Sequence, residues 1–137
     1  MARKVFVILS NCYAYDDESY YPTGEQTVNQ VFARKKDAKD AVERLIIHDV
    51  QDRNKIDRVL CNVTLHRDRF ETLAALIEPI YLIWLPGEKD WFHILGVKYD
   101  FDPSVLTEDQ ARTIARLADY CPYVIQETAA ARYVNLL

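Results

Sequence analysis

A length of 137 residues, half of them hydrophobic, suits one globular domain with a packed core and argues against a disordered chain. The net charge is −4 and no segment is strongly basic, which argues against nucleic acid as a partner. The apolar runs are far shorter than the roughly 20 residues of a membrane helix, and the first is too short for a signal peptide. We therefore expect a single domain over residues 1–137, cytoplasmic and without a membrane partner.

The chain begins with an apolar strand and a polar, aromatic stretch. Residues 5–10 are apolar on both faces, which is typical of a central strand. Residues 11–26 then break the pattern, because tyrosines surround acidic residues and Pro22 and Gly24 favour turns. Such long connections in compact domains are often functional or mobile. We predict a long loop over residues 11–26.

The next stretch predicts a strand over residues 27–33 and an amphipathic helix over residues 35–49. In the helix, apolar residues recur at the i, i+3, i+4, i+7 and i+8 spacing of one helical face. These residues are Ala38, Ala41, Val42, Leu45 and Ile46.

The first fifty residues show a recognisable order of elements. A strand at residues 4–10 is followed by an aromatic loop, a strand ending in the Val-Phe pair of residues 31–32, and a helix with an early alanine, Ala38. This order resembles that of small uncharacterised phage and bacterial proteins, which have a serine pair where Ala33 and Arg34 stand here. The resemblance implies a local topology and a mobile-element origin, and it implies no activity.

The middle of the chain predicts a half-buried strand and a second helix. Residues 59–66 alternate between apolar and polar, which favours a strand. Asp68 is then the expected N-cap of a helix that Pro79 ends. Residues 80–85 and 92–99 predict the two strands of a hairpin, with a bulge at Gly96.

The last part of the chain predicts a third and a fourth helix. Thr107 and Gln110 have the spacing of a capping box at the start of the third, and Pro122 follows its end. Residues 123–137 are predicted as the fourth. The fold class is therefore α+β, with a mixed or antiparallel sheet of about five strands and two to four helices packed mainly on one face.

The tyrosines and acids of the predicted loop are the main candidate for a partner-binding site. Tyrosine offers a large contact area at low entropic cost and a polar hydroxyl. In the alternative interpretation the rings pack into the core and the acids are merely solvated. The candidate partner-binding residues are Tyr13, Tyr15, Asp16, Asp17, Glu18, Tyr20 and Tyr21.

Aromatic residues around the predicted hairpin are a second candidate site. These aromatic side chains would suit a flat, nucleotide-like small molecule. In the alternative interpretation they belong to the core and to one sheet edge. The candidate ligand-binding residues are Trp84, Trp91, His93 and Tyr99.

Catalytic and metal motifs are absent from the sequence. Only three glycines are present, too few for a glycine-rich phosphate loop, and the histidines lack metal-ligand spacing. The odd number of cysteines without a secretion signal predicts reduced thiols. A nucleophilic Cys12 would need a histidine base in contact with it, which sequence alone does not show. We expect no catalytic residue, no metal and no cofactor.

These observations favour a non-enzymatic protein-binding accessory protein whose partner is a host or cellular protein. The resemblance narrows this hypothesis to a phage-encoded inhibitor of a host defence system. One alternative is a small-molecule binding or sequestering protein. Another is a small metal-dependent hydrolase that uses Asp16, Asp17 or Cys12. Homo-oligomerisation is compatible with each hypothesis.

Overall fold

The computed structural model describes residues 3–15, 20–61, 63–77, 80–84, 90–98 and 100–130, with residues 80–84 described by their backbone. The described part is α+β, as predicted. Its elements in chain order are β1 (Lys4–Tyr15), β2 (Tyr20–Phe32), α1 (Lys35–Gln51), α2 (Ile56–Leu60), β3 (Thr64–His66), α3 (Arg67–Leu76), β4 (Ile80–Trp84), β5 (Trp91–Val97), a 3-10 turn (Pro103–Val105), α4 (Glu108–Leu117) and β6 (Tyr123–Ala129).

The described residues fall into two compact units. The terminal unit comprises the described parts of residues 1–15, 21–45 and 121–137. The central unit comprises Tyr20 and the described part of residues 46–120. The strands are divided accordingly between two three-stranded sheets, where the sequence suggested one sheet of about five strands.

The sheet of the terminal unit has the strand order β2-β1-β6. The central strand is β1, as its apolar pattern on both faces predicted, and it pairs antiparallel with β6 from Lys4 opposite Ala129 to Ser10 opposite Tyr123. Three buried residues form the core cluster of this unit, and Leu9 and Val31 pack against it. The three buried residues are Val5, Val7 and Ala130.

The prediction of a long loop over residues 11–26 is wrong. Here β1 continues to Tyr15 and β2 begins at Tyr20. Polar side chains bond across the two strands: the Gln26 amide donates to the Asn11 side chain at 2.8 Å, and Asn29 donates to the Ser10 hydroxyl at 3.0 Å. These polar residues look loop-like one at a time, but as cross-strand pairs they stabilise a sheet.

The prediction of a helix over residues 123–137 is also wrong, because Tyr123–Ala129 is strand β6. Aromatic and β-branched side chains stand at its start, Tyr123, Val124 and Ile125, and such residues favour a pleated strand. Pairing with β1 satisfies the backbone of β6. Residues 131–137 lie outside the described residues.

The sheet of the central unit has the strand order β3-β5-β4, with antiparallel pairs. The register shifts where Tyr81 faces Gly96 and Leu82 faces Ile94, so the bulge lies next to the predicted glycine. The extra residue changes the alternation of β5. For this reason Phe92, Ile94 and Val97 all face the same side of the sheet and are all buried.

Helices α2 and α3 pack against one face of this sheet. Both α2 and α3 contact β5, and the rings of Phe70 and Phe92 stack with their centroids 4.2 Å apart. The opposite face presents Trp91 and Leu95, which are exposed. The core beneath the helices includes Ile47, Val50, Ile56, Val59, Leu60, Leu65, Leu73, Ile77, Ile94, Val97, Leu106, Ala111, Ile114, Ala115 and Tyr120.

The predicted strand over residues 59–66 is mostly wrong, because among its described residues only Thr64–His66 form a strand. Residues 56–60 form the short helix α2, in which Ile56, Val59 and Leu60 are buried. Those three residues have the i, i+3, i+4 spacing of one helical face. This helical pattern begins at Ile56, before the alternating stretch of residues 59–66, so the alternating stretch alone does not show it. The predicted N-cap is also wrong: His66 stands at the N-cap of α3 without a side-chain bond, and Asp68 lies in the first turn.

The helices with the strongest local signals form as predicted. Helix α1 spans Lys35–Gln51, two residues longer than predicted. Helix α4 begins with the predicted capping box. The Thr107 hydroxyl accepts a hydrogen bond from the Gln110 backbone at 3.2 Å, and the Gln110 side chain accepts one from the Thr107 backbone at 2.9 Å.

Candidate functional site

Strand β2 is an edge strand of the terminal sheet, and both of its faces are exposed. Within the described part of the chain its sheet neighbour is β1. Residues 21–30 are all exposed, without the alternation that appears when one face of a strand is covered. We call residues 21–30 the exposed β2 segment. It offers one edge of backbone groups and two faces of side chains to another molecule.

The exposed β2 segment has few of the features that keep sheet edges from pairing. Natural proteins protect edges with charged side chains, proline or bulges. In β2 these features lie in the first half, at Pro22 and Glu25, and residues 26–32 contain neither a charge nor a proline. Gly24 has a φ of 85°, a conformation that a glycine adopts without strain. The half of β2 that precedes α1 is therefore the half open to pairing.

An open groove runs along this second half of β2. Residues 28–32 line it, and its volume is about 510 Å³. Val28 stands at one end of the groove and is 43% exposed. An apolar side chain from a partner strand would find a contact here.

The structure divides the predicted tyrosine cluster. Tyr15 is 57% exposed at the end of β1, and Tyr21 is 45% exposed near the start of β2. Tyr13 and Tyr20 are half-buried. Two of the four rings are therefore presented to solvent. Of the other candidate partner-binding residues, Asp16, Asp17 and Glu18 lie outside the described residues.

The second candidate site is described in part. His66 and Trp91 face each other on β3 and β5, and their rings meet edge to face with centroids 5.4 Å apart. Two positions along the same strands, Thr64 faces His93, and the Thr64 hydroxyl lies 2.9 Å from Nδ1 of His93. Cross-strand pairing accounts for both aromatic positions. Tyr99 and the side chain of Trp84 lie outside the described residues.

A buried carboxylate, which the sequence analysis did not identify, forms the main polar cluster of the central unit. Asp49 is 2% exposed, and its Oδ2 accepts a hydrogen bond of 2.7 Å from the Tyr120 hydroxyl. Two cations complete the cluster: Nη2 of Arg58 is 3.5 Å from Oδ2, and Nζ of Lys55 is 3.4 Å from Oδ1. Arg58 also donates to the Tyr120 hydroxyl at 3.0 Å.

This cluster joins the end of α1 to α2 and to the segment after α4. Burial raises the pKa of the Tyr120 hydroxyl, and the hydrogen bond to Asp49 and the charge of Asp49 raise it further. The hydroxyl is therefore held protonated as a donor. The Asp49 carboxylate is already paired with two cations and one hydrogen-bond donor from the same chain. This arrangement is suited to holding α1, α2 and the segment after α4 together, and not to acting on a substrate. The sequence did contain a signal, because Ile46, Asp49 and Val50 continue the apolar stripe of α1.

The described residues contain no group of three or more His, Cys, Asp or Glu placed to hold a metal ion. In the hydrolase hypothesis, Asp16 and Asp17 lie outside the described residues and Cys12 is half-buried in β1. None of the described helices is both long and apolar enough to cross a membrane.

Comparison with known proteins gives no relative for this chain: no family model, curated protein or solved structure matches it.

Proposed function

We propose that this chain is a non-enzymatic protein-binding module that uses the exposed β2 segment together with Tyr15. The observation that carries the proposal is the unbroken exposure of residues 21–30 on an edge strand. A strand that served only to complete the sheet would bury alternate side chains. Exposure of both faces and one edge instead leaves this strand available to a partner.

The chemistry of the segment favours an extended strand of a partner protein as the occupant. Strand addition satisfies the backbone donors and acceptors of an edge, and pockets beside the strand select the side chains of the partner. Val28 and the groove along residues 28–32 supply such a contact. Tyr15 and Tyr21 supply aromatic rings of the kind that often dominate binding energy.

A narrower form of the proposal makes this protein a phage accessory protein that inhibits a host defence system in the cytoplasm. Its support is the resemblance of the first fifty residues to small phage and bacterial proteins. The partner would then be a host protein. Affinity capture from a lysate of the host, with recovery of a defence protein, is the measurement that bears on this narrower form.

A lysine substitution on the exposed strand β2, compared with a matched lysine substitution on β6, tests the binding proposal. Val28 on β2 and Val124 on β6 are each 43% exposed, so a lysine at either position has a similar effect on folding. Affinity capture with the wild-type chain first identifies partners. We expect Val28→Lys to lose at least tenfold in affinity for the captured partner by isothermal titration calorimetry, and Val124→Lys to lose less than twofold.

The tyrosines are tested separately, since they act through side chains and not through the strand edge. The double variant Tyr15→Ala and Tyr21→Ala should weaken the same complex, with circular dichroism confirming an unchanged fold. The proposal is wrong if the Val28→Lys variant and the tyrosine variant both bind as tightly as the wild-type chain. It is also wrong if the wild-type chain captures no protein.

A further inference from the structure

Two cysteines lie at facing positions of the β1–β6 pair. The register places Ser10 opposite Tyr123, so each step along β1 is matched by one step back along β6. The pairing continues past Ser10, because the Asn11 backbone N–H donates to the Pro122 carbonyl at 2.8 Å. The next residues in this register are Cys12 and Cys121.

The hydrogen-bond pattern places this pair at the position where side chains come closest. In an antiparallel pair, hydrogen-bonded and non-hydrogen-bonded positions alternate. Backbone bonds join Asn11 to Pro122 and, at the other end of the ladder, Ala130 to Arg3. Asn11 lies in β1 and Arg3 directly precedes it, so both bonds fall on odd-numbered residues and the even-numbered Cys12 occupies a non-hydrogen-bonded position. Cα atoms at such positions are about 4.5 Å apart, at the short end of the range that a disulfide spans.

Both thiols are free, and at least one is open to solvent. Cys121 is exposed and Cys12 is half-buried. The Cys121 thiol donates a weak hydrogen bond of 3.4 Å to the Tyr123 carbonyl, which a rotation about its side chain releases. An oxidant in solution therefore reaches Cys121 first.

We propose that Cys12 and Cys121 form a redox-active dithiol site, which a small-molecule disulfide such as oxidised glutathione converts into a cross-strand disulfide. The Cys121 thiolate attacks one sulfur of oxidised glutathione, forms a mixed disulfide and releases one glutathione thiolate. The Cys12 thiolate then attacks the Cys121 sulfur and releases the second glutathione. Two electrons pass from the protein thiols to the small disulfide, and the two thiol protons end on the released glutathione molecules. The product links β1 covalently to β6.

The test uses the full chain, oxidised glutathione and peptide mapping by mass spectrometry under non-reducing conditions. We expect a peptide pair joined through Cys12 and Cys121, a fall in titratable thiols from three to one, and full reversal by dithiothreitol. Cys61→Ser is the matched control, because Cys61 has no place in this register. This variant should form the same link and retain no free thiol.

The single variants separate the internal link from simple glutathione capture. Cys12→Ser should stop at a glutathione adduct on Cys121, and Cys121→Ser should give no internal link. Recovery of glutathione adducts alone from the wild-type chain, or of links through Cys61, would overturn the proposal. If a serine variant does not fold, the linked peptide from the wild-type and Cys61→Ser chains decides the question.

Discussion

Tyr120, which follows α4, donates a hydrogen bond of 2.7 Å to Asp49, which lies in the last turns of α1. The bond spans a large separation in sequence and is buried at both ends. It closes a cluster in which one carboxylate is shared by a hydroxyl, a guanidinium and an ammonium group. The stability of the central unit should therefore depend on this one acid.

Replacing the acid should destabilise the chain strongly. The Asp49→Ala variant leaves Arg58 without its carboxylate in a setting where its side chain is 21% exposed. Lys55 also loses its ion pair with the Asp49 carboxylate. Because the Lys55 side chain is 44% exposed, hydration of its ammonium group compensates for most of that loss. We expect a decrease of about 3 kcal/mol in the free energy of unfolding by urea denaturation. Asp68→Ala is the control: its carboxylate is 89% exposed, and the change should be under about 0.5 kcal/mol.

The Tyr120 hydroxyl should make stability fall at high pH. Its pKa rises on folding from an ordinary value of 10.0, through burial first and then through Asp49. Below that value the hydroxyl is protonated in both states. Above it the unfolded chain releases this proton while the folded chain keeps it, so the free energy of unfolding decreases by about 1.4 kcal/mol per pH unit from this group.

Tyr120→Phe isolates that contribution. Near neutral pH the variant should be less stable by about 1–3 kcal/mol, because a buried carboxylate loses its donor. The difference from the wild-type chain should then shrink as the pH rises above about 10, since the variant has no proton to lose at this position. A difference that stays constant from about pH 9 to pH 11 would contradict the assignment.

The capping box of α4 should contribute measurably to stability. Thr107→Ala removes the hydroxyl that accepts from the Gln110 backbone at 3.2 Å, which leaves a helix N–H without its cap. We expect a loss of about 1 kcal/mol in the free energy of unfolding. Thr107→Ser keeps the hydroxyl and should lose much less. Equal losses in the two variants would show that the methyl group matters and the cap does not.

Substitution of Gly24 should lower the free energy of unfolding, and the cause should be the backbone conformation alone. A Cβ atom at this position would meet no heavy atom within 4 Å, but the φ of 85° is unfavourable for residues with side chains. We expect Gly24→Ala to cost about 1 kcal/mol and Gly24→Asn to cost less, because asparagine tolerates positive φ better than alanine. Chemical denaturation of the two variants measures the difference, and a larger cost for asparagine would contradict a purely conformational effect.

Local signals in the sequence predicted some elements well. The apolar stripe of α1 and the Thr107 capping box depend on residues within a few positions of each other, and both elements form as predicted. The bulge beside Gly96 is another such local feature. Each of these signals is complete within one short segment and does not depend on a distant part of the chain.

Elements stabilised by distant partners were not predicted. Asn11 and Gln26 look like loop residues until each has the other as its hydrogen-bond partner. Tyr123–Ala129 pairs with β1 at the other end of the chain, and a local pattern does not show that partner. The exposure of Tyr15 and Tyr21 likewise depends on which residues pack against β1 and β2. The buried role of Asp49 was not predicted either, although its position on the α1 stripe is visible in the sequence.

The pairing of β1 with β6 has a consequence for co-translational folding. The central unit draws almost wholly on one continuous stretch, residues 46–120, so its packing can be completed as soon as that stretch emerges. The first strand must wait much longer, because its partner β6 follows the whole central unit along the chain. We expect nascent chains to acquire their protease-resistant centre first, while β1 and β2 stay open to chaperones until β6 has been translated.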